Sequence, residues 1–143
     1  MGSVGRLDSG GWLLVARMTF WRIALPLLRR MFATERLVGL LASPRFSPRD
    51  PDRETLALAV TGRLWRRSSG TCLERSLAAH RELGRSGALP RLVLGAAPGT
   101  AGIVGHAWVE VDGRAVLETT DPRAEYTPLV EFDASGARLP RPE

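Results

Sequence analysis

The chain has 143 residues, the length of about one domain, and its single cysteine excludes an internal disulfide and a cysteine-rich zinc cluster. It contains no Lys, Asn or Gln, which excludes a Schiff-base lysine, a phosphate-loop lysine and an oxyanion hole built from a side-chain amide. The net charge is +5, and residues 1–71 carry 12 Arg and 5 acids, whereas residues 72–143 carry 8 Arg and 10 acids. With only two histidines beside the cysteine, we expect neither a metal nor a cofactor.

Residues 1–11 are rich in Gly and Ser, and we expect them to be flexible. Apolar residues then recur at steps of four and three, which predicts a helix with arginines on its other faces. The apolar positions are Leu14, Met18, Trp21, Leu25, Leu28 and Phe32. Pro26 lacks an N–H and clashes with the preceding turn, so we expect it to kink this helix or to open a second one that runs to about residue 42.

The apolar stretch from Trp12 to Phe32 raises the question of membrane insertion. Four arginines interrupt it, namely Arg17, Arg22, Arg29 and Arg30. Because about 20 predominantly apolar residues are needed to cross a bilayer, we expect no transmembrane helix. No basic region precedes the stretch and no small-residue cleavage site follows it, so we expect no secretory signal and a cytoplasmic protein.

Two prolines in residues 43–49 predict a connector. Asp50, Pro51 and Asp52 then supply an N-cap, a proline at the first helical position and an acid in the first turn, which predicts a helix to about Arg67. Ser68-Ser69-Gly70 is expected to end it. We therefore divide the N-terminal half into the flexible start and a basic helical region at residues 12–67.

Thr71-Cys72-Leu73-Glu74 has the spacing of a capping box, in which the Thr71 hydroxyl and the Glu74 carboxylate bond to each other's backbone N–H. This places Cys72 at the first position of a helix that we expect to end at a C-cap glycine, Gly84. The free N–H groups and the dipole at a helix N-terminus favour a thiolate. The motif predicts a nucleophile, although a lone cysteine also serves as a small buried apolar residue.

From residue 89 onward the pattern becomes typical of strands. The predicted strands are residues 89–97, 103–111, 115–119 and a short last strand at 129–133. Helices followed by strands indicate an α+β fold with an antiparallel sheet. We expect residues 68–133 to form the core that carries the site, and residues 134–143 to form a polar tail.

His106, on the second predicted strand, is the candidate base, and it shares a strand face with Trp108 and Glu110. His80 lies eight residues beyond Cys72 on the same predicted helix, about 12 Å along the axis, too far to accept the thiol proton. We expect His80 to be structural.

The turn at Asp112-Gly113 decides which acid meets His106. In a two-residue hairpin, His106 faces Thr119 with Asp121 diagonal to it. In a turn with a glycine bulge, His106 lies directly opposite Glu118. Both acids stay candidates, and the geometry favours Glu118.

Three segments resemble the leader peptidases of lasso-peptide biosynthesis, which are transglutaminase-like cysteine proteases. The segments are residues 72–77, 92–95 and 106–113. The resemblance is strong over residues 55–120. In the N-terminal helices it is limited to their general character. It implies a papain- or transglutaminase-like core in which one helix carries Cys72 and packs on a small antiparallel sheet.

The resemblance also implies a Cys-His-Asp protease with Cys72 as nucleophile and His106 as base. The third position, twelve residues after the histidine, is Glu118 where the family has Asp, and Asp121 is the alternative. The implied substrate is a ribosomally made precursor whose leader has Thr as its penultimate residue, so that a small pocket is expected near Cys72. The chain length resembles the split form, which works with a separate small leader-recognition protein and an ATP-dependent cyclase.

Two other functions stay open. The thioester on Cys72 could be resolved by an amine instead of water, which would make the protein an acyltransferase. The arginine-rich half could bind nucleic acid or a membrane surface without catalysis, but a solvated helix face is the simpler interpretation. Because aromatic and basic residues are not interleaved in the strand half, we expect no nucleic-acid partner.

Overall fold

Five helices and four strands are formed by residues 9–45, 48–66 and 72–141, the part of the chain that the computed structural model describes. The elements are α1 (Ser9–Met31), α2 (Thr34–Leu41), α3 (Pro51–Leu64), α4 (Cys72–Arg85), β1 (Arg91–Gly99), β2 (Gly102–Val111), β3 (Arg114–Val116), α5 (Pro122–Glu125) and β4 (Thr127–Phe132). Apart from the single turn α5, the helices precede the strands. The predicted α+β class is confirmed.

The strands form one antiparallel sheet in the order β3-β2-β1-β4. β1 and β2 make a long hairpin, in which Gly99 pairs with Gly102 at the turn and Arg91 pairs with Glu110 at the far end. One face of this sheet contributes Leu92 and Val109 to the hydrophobic core, together with Leu77 of α4. The core therefore lies between α4 and the sheet, with α1 to α3 packed around the helix.

α1 runs through Pro26 without a break, so the start of a second helix there, one of the two expected effects, is wrong, and the expected kink stays a prediction. The chain leaves the helix only after Met31, and α2 begins at Thr34. Burial of Leu25 before Pro26 and packing of the partly buried Leu28 after it hold the segment helical, and this packing outweighs the hydrogen bond that proline cannot make. The helix also begins at Ser9, inside the segment expected to be flexible.

By length and composition alone, α1 could cross a membrane. Core helices of soluble proteins and signal sequences meet the same criterion. The expectation of no transmembrane helix stays a prediction.

α3 begins as predicted, because the Asp50 carboxylate accepts a hydrogen bond of 3.1 Å from the Arg53 N–H and Pro51 occupies the first helical position. It ends at Leu64. The predicted end near Arg67, the break at Ser68-Ser69-Gly70 and the Thr71 half of the capping box lie outside the described residues.

α4 does not end at Gly84, and the predicted C-cap is wrong. Gly84 lies within the helix, where an added Cβ would sit 3.5 Å from the Pro44 Cα. The helix ends instead through Gly87, which has φ 87°, while the Ala88 N–H bonds to the Leu83 carbonyl. This is the bonding of a Schellman motif, so Gly87 rather than Gly84 terminates the helix.

Two ion pairs join the arginines of α1 to acids buried on α4. Arg17 donates to both carboxylate oxygens of Glu82 at 2.7 and 2.6 Å, and Arg29 donates to Glu74 at 2.9 Å. The hydrogen bonds to Glu82 raise the pKa of Arg17 above its ordinary value despite partial burial. These arginines are therefore structural partners of α4 rather than part of a solvated face.

Candidate active site

Cys72 is the first residue of α4, and its side chain is half-buried. One turn further along the helix, the buried Ser76 hydroxyl donates a 3.0 Å hydrogen bond to the Ala107 carbonyl on β2. Ala107 directly follows His106. The first turns of α4 therefore meet the sheet where the candidate histidine lies.

The imidazole of His106 is held on two sides. Its Nε2 lies 3.1 Å from Glu118 Oε1. Its ring stacks on Tyr126, with centroids 4.9 Å apart, and on Trp108 at 5.9 Å. Because an ionised carboxylate only accepts hydrogen bonds, Nε2 carries the hydrogen, and Nδ1 of the neutral ring is left with a lone pair that can take a proton.

Glu118 also bonds to the helix that carries the cysteine. The same oxygen, Oε1, accepts a 2.9 Å hydrogen bond from Arg75 Nη2. Arg75 lies three residues after Cys72, a spacing that puts the two side chains on neighbouring positions of one helix face. One carboxylate thus links the start of α4 to the histidine of β2.

The position of Glu118 results from an abrupt end of β3. Val111 pairs with Arg114, so the turn is the two-residue hairpin, with Asp112 at φ 54° and Gly113 at φ 77°. In that register we expected His106 to face Thr119, and this expectation is wrong. The pairing stops at Val116, and Leu117 adopts φ 62°, a left-handed conformation that turns the chain and brings the next residue to the histidine.

Asp121, the alternative acid, has another role. It is exposed and forms the N-cap of α5, where its carboxylate accepts a 3.0 Å hydrogen bond from the Arg123 N–H. Of the two candidate acids, the structure brings Glu118 to the histidine. The catalytic roles of Cys72, His106 and Glu118 stay a prediction, since no hydrogen bond joins the thiol to the imidazole within the described parts of the chain.

A second carboxylate, that of Glu110, holds the Trp108 ring of this stack in place. Glu110 accepts a 3.0 Å hydrogen bond from Trp108 Nε1, and it accepts two from Arg123, which also pairs with Glu131. Burial raises the pKa of Glu110, but the bonds from Arg123 and Trp108 outweigh it and leave this pKa below its ordinary value. Glu110 is therefore ionised and fixes the indole against which His106 stacks. These contacts agree with the prediction that the three residues share one face of the strand.

Sequence reasoning missed Arg75 and Tyr126. The only available signal for Arg75 was its helical spacing from Cys72. Tyr126 gave none, because its contact with His106 depends on how the chain returns after α5. His80 is buried, with its Nε2 2.8 Å from the Asp133 carbonyl, and burial lowers its pKa.

Most of the helices and strands lie within a region that matches a known protein family. A family model described as the transglutaminase-like superfamily matches residues 16–131, which include α2 to α5, most of α1 and all of the sheet except the last residue of β4. No curated protein and no solved structure matches the chain. No cluster of three or more potential metal ligands occurs in the described part of the chain. From the extent of the family match, the chain belongs to the transglutaminase-like superfamily, whose chemistry is usually that of cysteine proteases or acyltransferases.

Proposed function

We propose that this protein is a cysteine peptidase that removes the leader from a ribosomally made lasso-peptide precursor. The superfamily supports thiol chemistry, and the resemblance of residues 72–77 and 106–113 to the lasso leader peptidases supports hydrolysis of a leader. The observation that carries the proposal is the Glu118 carboxylate, which bonds to both His106 and Arg75. It joins the base to the helix turn that carries the nucleophile.

In the first step, His106 Nδ1 takes the proton of the Cys72 thiol, and the thiolate attacks the carbonyl carbon at the junction of leader and core. The negative charge moves to the carbonyl oxygen. The N–H of Cys72 is suited to bind this oxygen, because the first N–H groups of a helix have no intrahelical partner.

The intermediate then collapses and the C–N bond breaks, with His106 giving its proton to the leaving amine of the core peptide. The leader stays bound to Cys72 as a thioester. Water, deprotonated by His106, adds to this thioester, and its collapse releases the leader carboxylate and restores the thiol. Glu118 holds the imidazole in one orientation throughout, and Arg75 holds Glu118.

A separate small leader-recognition protein and an ATP-dependent cyclase complete the proposal. The outward face of α1 supports a protein partner, because large apolar side chains at helical spacing are exposed there. They are Leu13, Phe20, Ile23, Leu27 and Met31. An apolar helix face of this kind is a common docking surface for another protein.

The peptidase is tested by incubating the precursor and its leader-recognition protein with wild-type enzyme, Cys72→Ala and His106→Ala. We expect both variants to lose cleavage, measured as free leader by mass spectrometry. The matched pair Glu118→Ala and Asp121→Ala separates the two acids, and we expect only Glu118→Ala to be impaired. Full cleavage by Cys72→Ala would refute the proposal.

The same spectrum separates hydrolysis from acyl transfer. Hydrolysis gives a leader that ends in a free carboxylate, whereas transfer gives a leader joined to an amine. A leader–amine adduct as the main product would make the protein an acyltransferase, the other chemistry of the superfamily.

The partner surface is tested with the double variant Phe20→Ser/Leu27→Ser. We expect weaker capture of the leader-recognition protein than for the wild type. Leu89→Ser, which changes an exposed leucine far along the chain from α1, is the control. Equal capture by the double variant and the control would exclude α1 as the docking surface.

A further inference from the structure

The outer edge of β2 is open beside the candidate site. On its inner side β2 pairs with β1 along the length from Gly102 to Glu110. On its outer side it pairs with β3 only from Val109 to Val111. In the part of the chain that the structure describes, no strand covers the outer edge from Gly102 to Trp108. The first four residues of β2 are exposed.

The register shows which backbone groups point to this open edge. Gly99 and Gly102 flank a two-residue turn, so Gly102 and every second residue after it direct N–H and C=O toward β1. Ile103, Gly105 and Ala107 therefore direct theirs outward. The Ala107 carbonyl confirms this assignment, since it accepts its hydrogen bond from Ser76 of α4. Ile103 and Gly105 have no such partner among the described residues.

Gly105 keeps the edge accessible on the side of α4. Its φ is not in the left-handed region, and an added Cβ would come no closer than 3.9 Å to another atom, the Gly95 carbonyl oxygen. Neither conformation nor crowding requires a glycine here. The missing side chain leaves space on the sheet face that packs on α4, opposite to the face of the His106 ring.

We propose that the substrate peptide binds as an added strand on this edge and pairs its backbone with Gly105 and Ile103. This inference rests on the proposed peptidase function. Residues two apart in a strand are separated by roughly 6.6 Å, so the two sets of N–H and C=O match alternate residues of an extended peptide. The edge leads to Ala107, whose carbonyl bonds to Ser76 one turn after Cys72, so a peptide bound along it runs toward the start of α4.

Ile103→Pro tests the proposal, because it removes an outward N–H and leaves the β1 ladder intact. Ile103→Ala is the matched control, since it shortens the same side chain but keeps the N–H. With one hydrogen bond worth about fivefold, we expect Ile103→Pro to lower kcat/KM for the full precursor by about fivefold or more relative to Ile103→Ala. A short ester with one residue on each side of the scissile bond does not reach Ile103 and should be cleaved equally by both variants.

Equal kcat/KM of the two variants for the precursor would overturn the proposal while leaving the peptidase function intact, provided that Cys72→Ala is inactive. An equal loss on the short ester would also overturn it, because the change would then act on the catalytic centre.

Amide hydrogen exchange of Cys72→Ala with uncleaved precursor gives a second measurement that does not depend on a proline variant. We expect slower exchange at Ile103 and Gly105 on adding precursor. Unchanged exchange at these two residues would refute the assignment. Protection that appears without precursor as the protein concentration rises would also refute it, because it would show that the edge pairs with a second copy of the chain.

Discussion

Glu118→Gln is the most informative single change at the site. It keeps the length of the side chain and removes its negative charge. In the wild-type protein, one oxygen accepts from both His106 and Arg75, at 3.1 and 2.9 Å. Because a guanidinium can only donate, Arg75 should hold the oxygen of the introduced amide, rather than its NH2 group, toward both donors. The histidine tautomer is then preserved and only the charge is lost.

The size of the effect follows from that lost charge. Two unit charges about 4 Å apart interact by about 4 kcal/mol at an effective dielectric constant of 20. The neighbouring Arg75 cation already offsets part of the attraction between imidazolium and carboxylate. We expect the variant to lose about 2–3 kcal/mol of transition-state stabilisation, which corresponds to about a hundredfold in kcat.

The assay is single-turnover cleavage of the precursor with enzyme in excess, so that product release does not contribute. Glu118→Gln is compared with the double variant Glu118→Gln/Arg75→Leu, in which nothing prevents the amide from turning its NH2 group toward His106. A histidine held in the wrong tautomer costs a serine protease about 10⁴ in kcat, so we expect the double variant to be slower than Glu118→Gln by about another hundredfold. Wild-type activity in Glu118→Gln, or equal activity of the two variants, would refute this account of Arg75 and Glu118.

Two further predictions concern stability. Burial lowers the pKa of His80 in the native state. As the pH falls below about 6.5, the unfolded chain therefore binds a proton at His80 that the native state does not bind. The free energy of unfolding should decline until the pH passes the lower native pKa. Urea unfolding at several pH values should show this decline in His106→Ala and not in His80→Leu, and a decline of equal size in His80→Leu would contradict it. Arg17→Met leaves the Glu82 carboxylate, only 1% exposed, without its cation, and should cost about 3 kcal/mol in urea unfolding. Arg138→Met removes an exposed ion pair and should cost less than about 1 kcal/mol, so similar losses in the two arginine variants would contradict the difference in burial.

Local signals in the sequence predicted those elements whose ends are set by neighbouring residues. Asp50 and Pro51 start a helix because the cap and the fixed φ act within one turn. Pro26 and Gly84 misled the prediction for the opposite reason. The packing of Leu25 and Leu28 on the core around Pro26 and the passage of Pro44 beside Gly84 are contacts between distant parts of the chain, and these outweigh local preference.

The candidate site also combines features that local sequence signals indicated with features that depend on distant contacts. The sequence indicated Cys72, His106 and a downstream acid, because residue type and strand pattern carry that information. It did not indicate that β3 ends at Val116. With the observed two-residue turn, Thr119 was expected to face His106, but the early end of the strand brings Glu118 there instead. The bond from Arg75 crosses 43 residues of chain and depends on how α4 packs on the sheet.

The left-handed leucine at position 117 has a consequence for how mutations far from the site act. Its side chain packs on the hydrophobic core, and an added Cβ at Gly62 of α3 would lie 3.7 Å from its Cδ2. The backbone turn that delivers the charged neighbour of His106 is therefore anchored by an apolar side chain. Substitutions that change side-chain volume where α3 packs on Leu117 touch none of the reacting groups, but they should alter turnover by moving this leucine. Screens for activity should therefore recover such substitutions as well as those at the site.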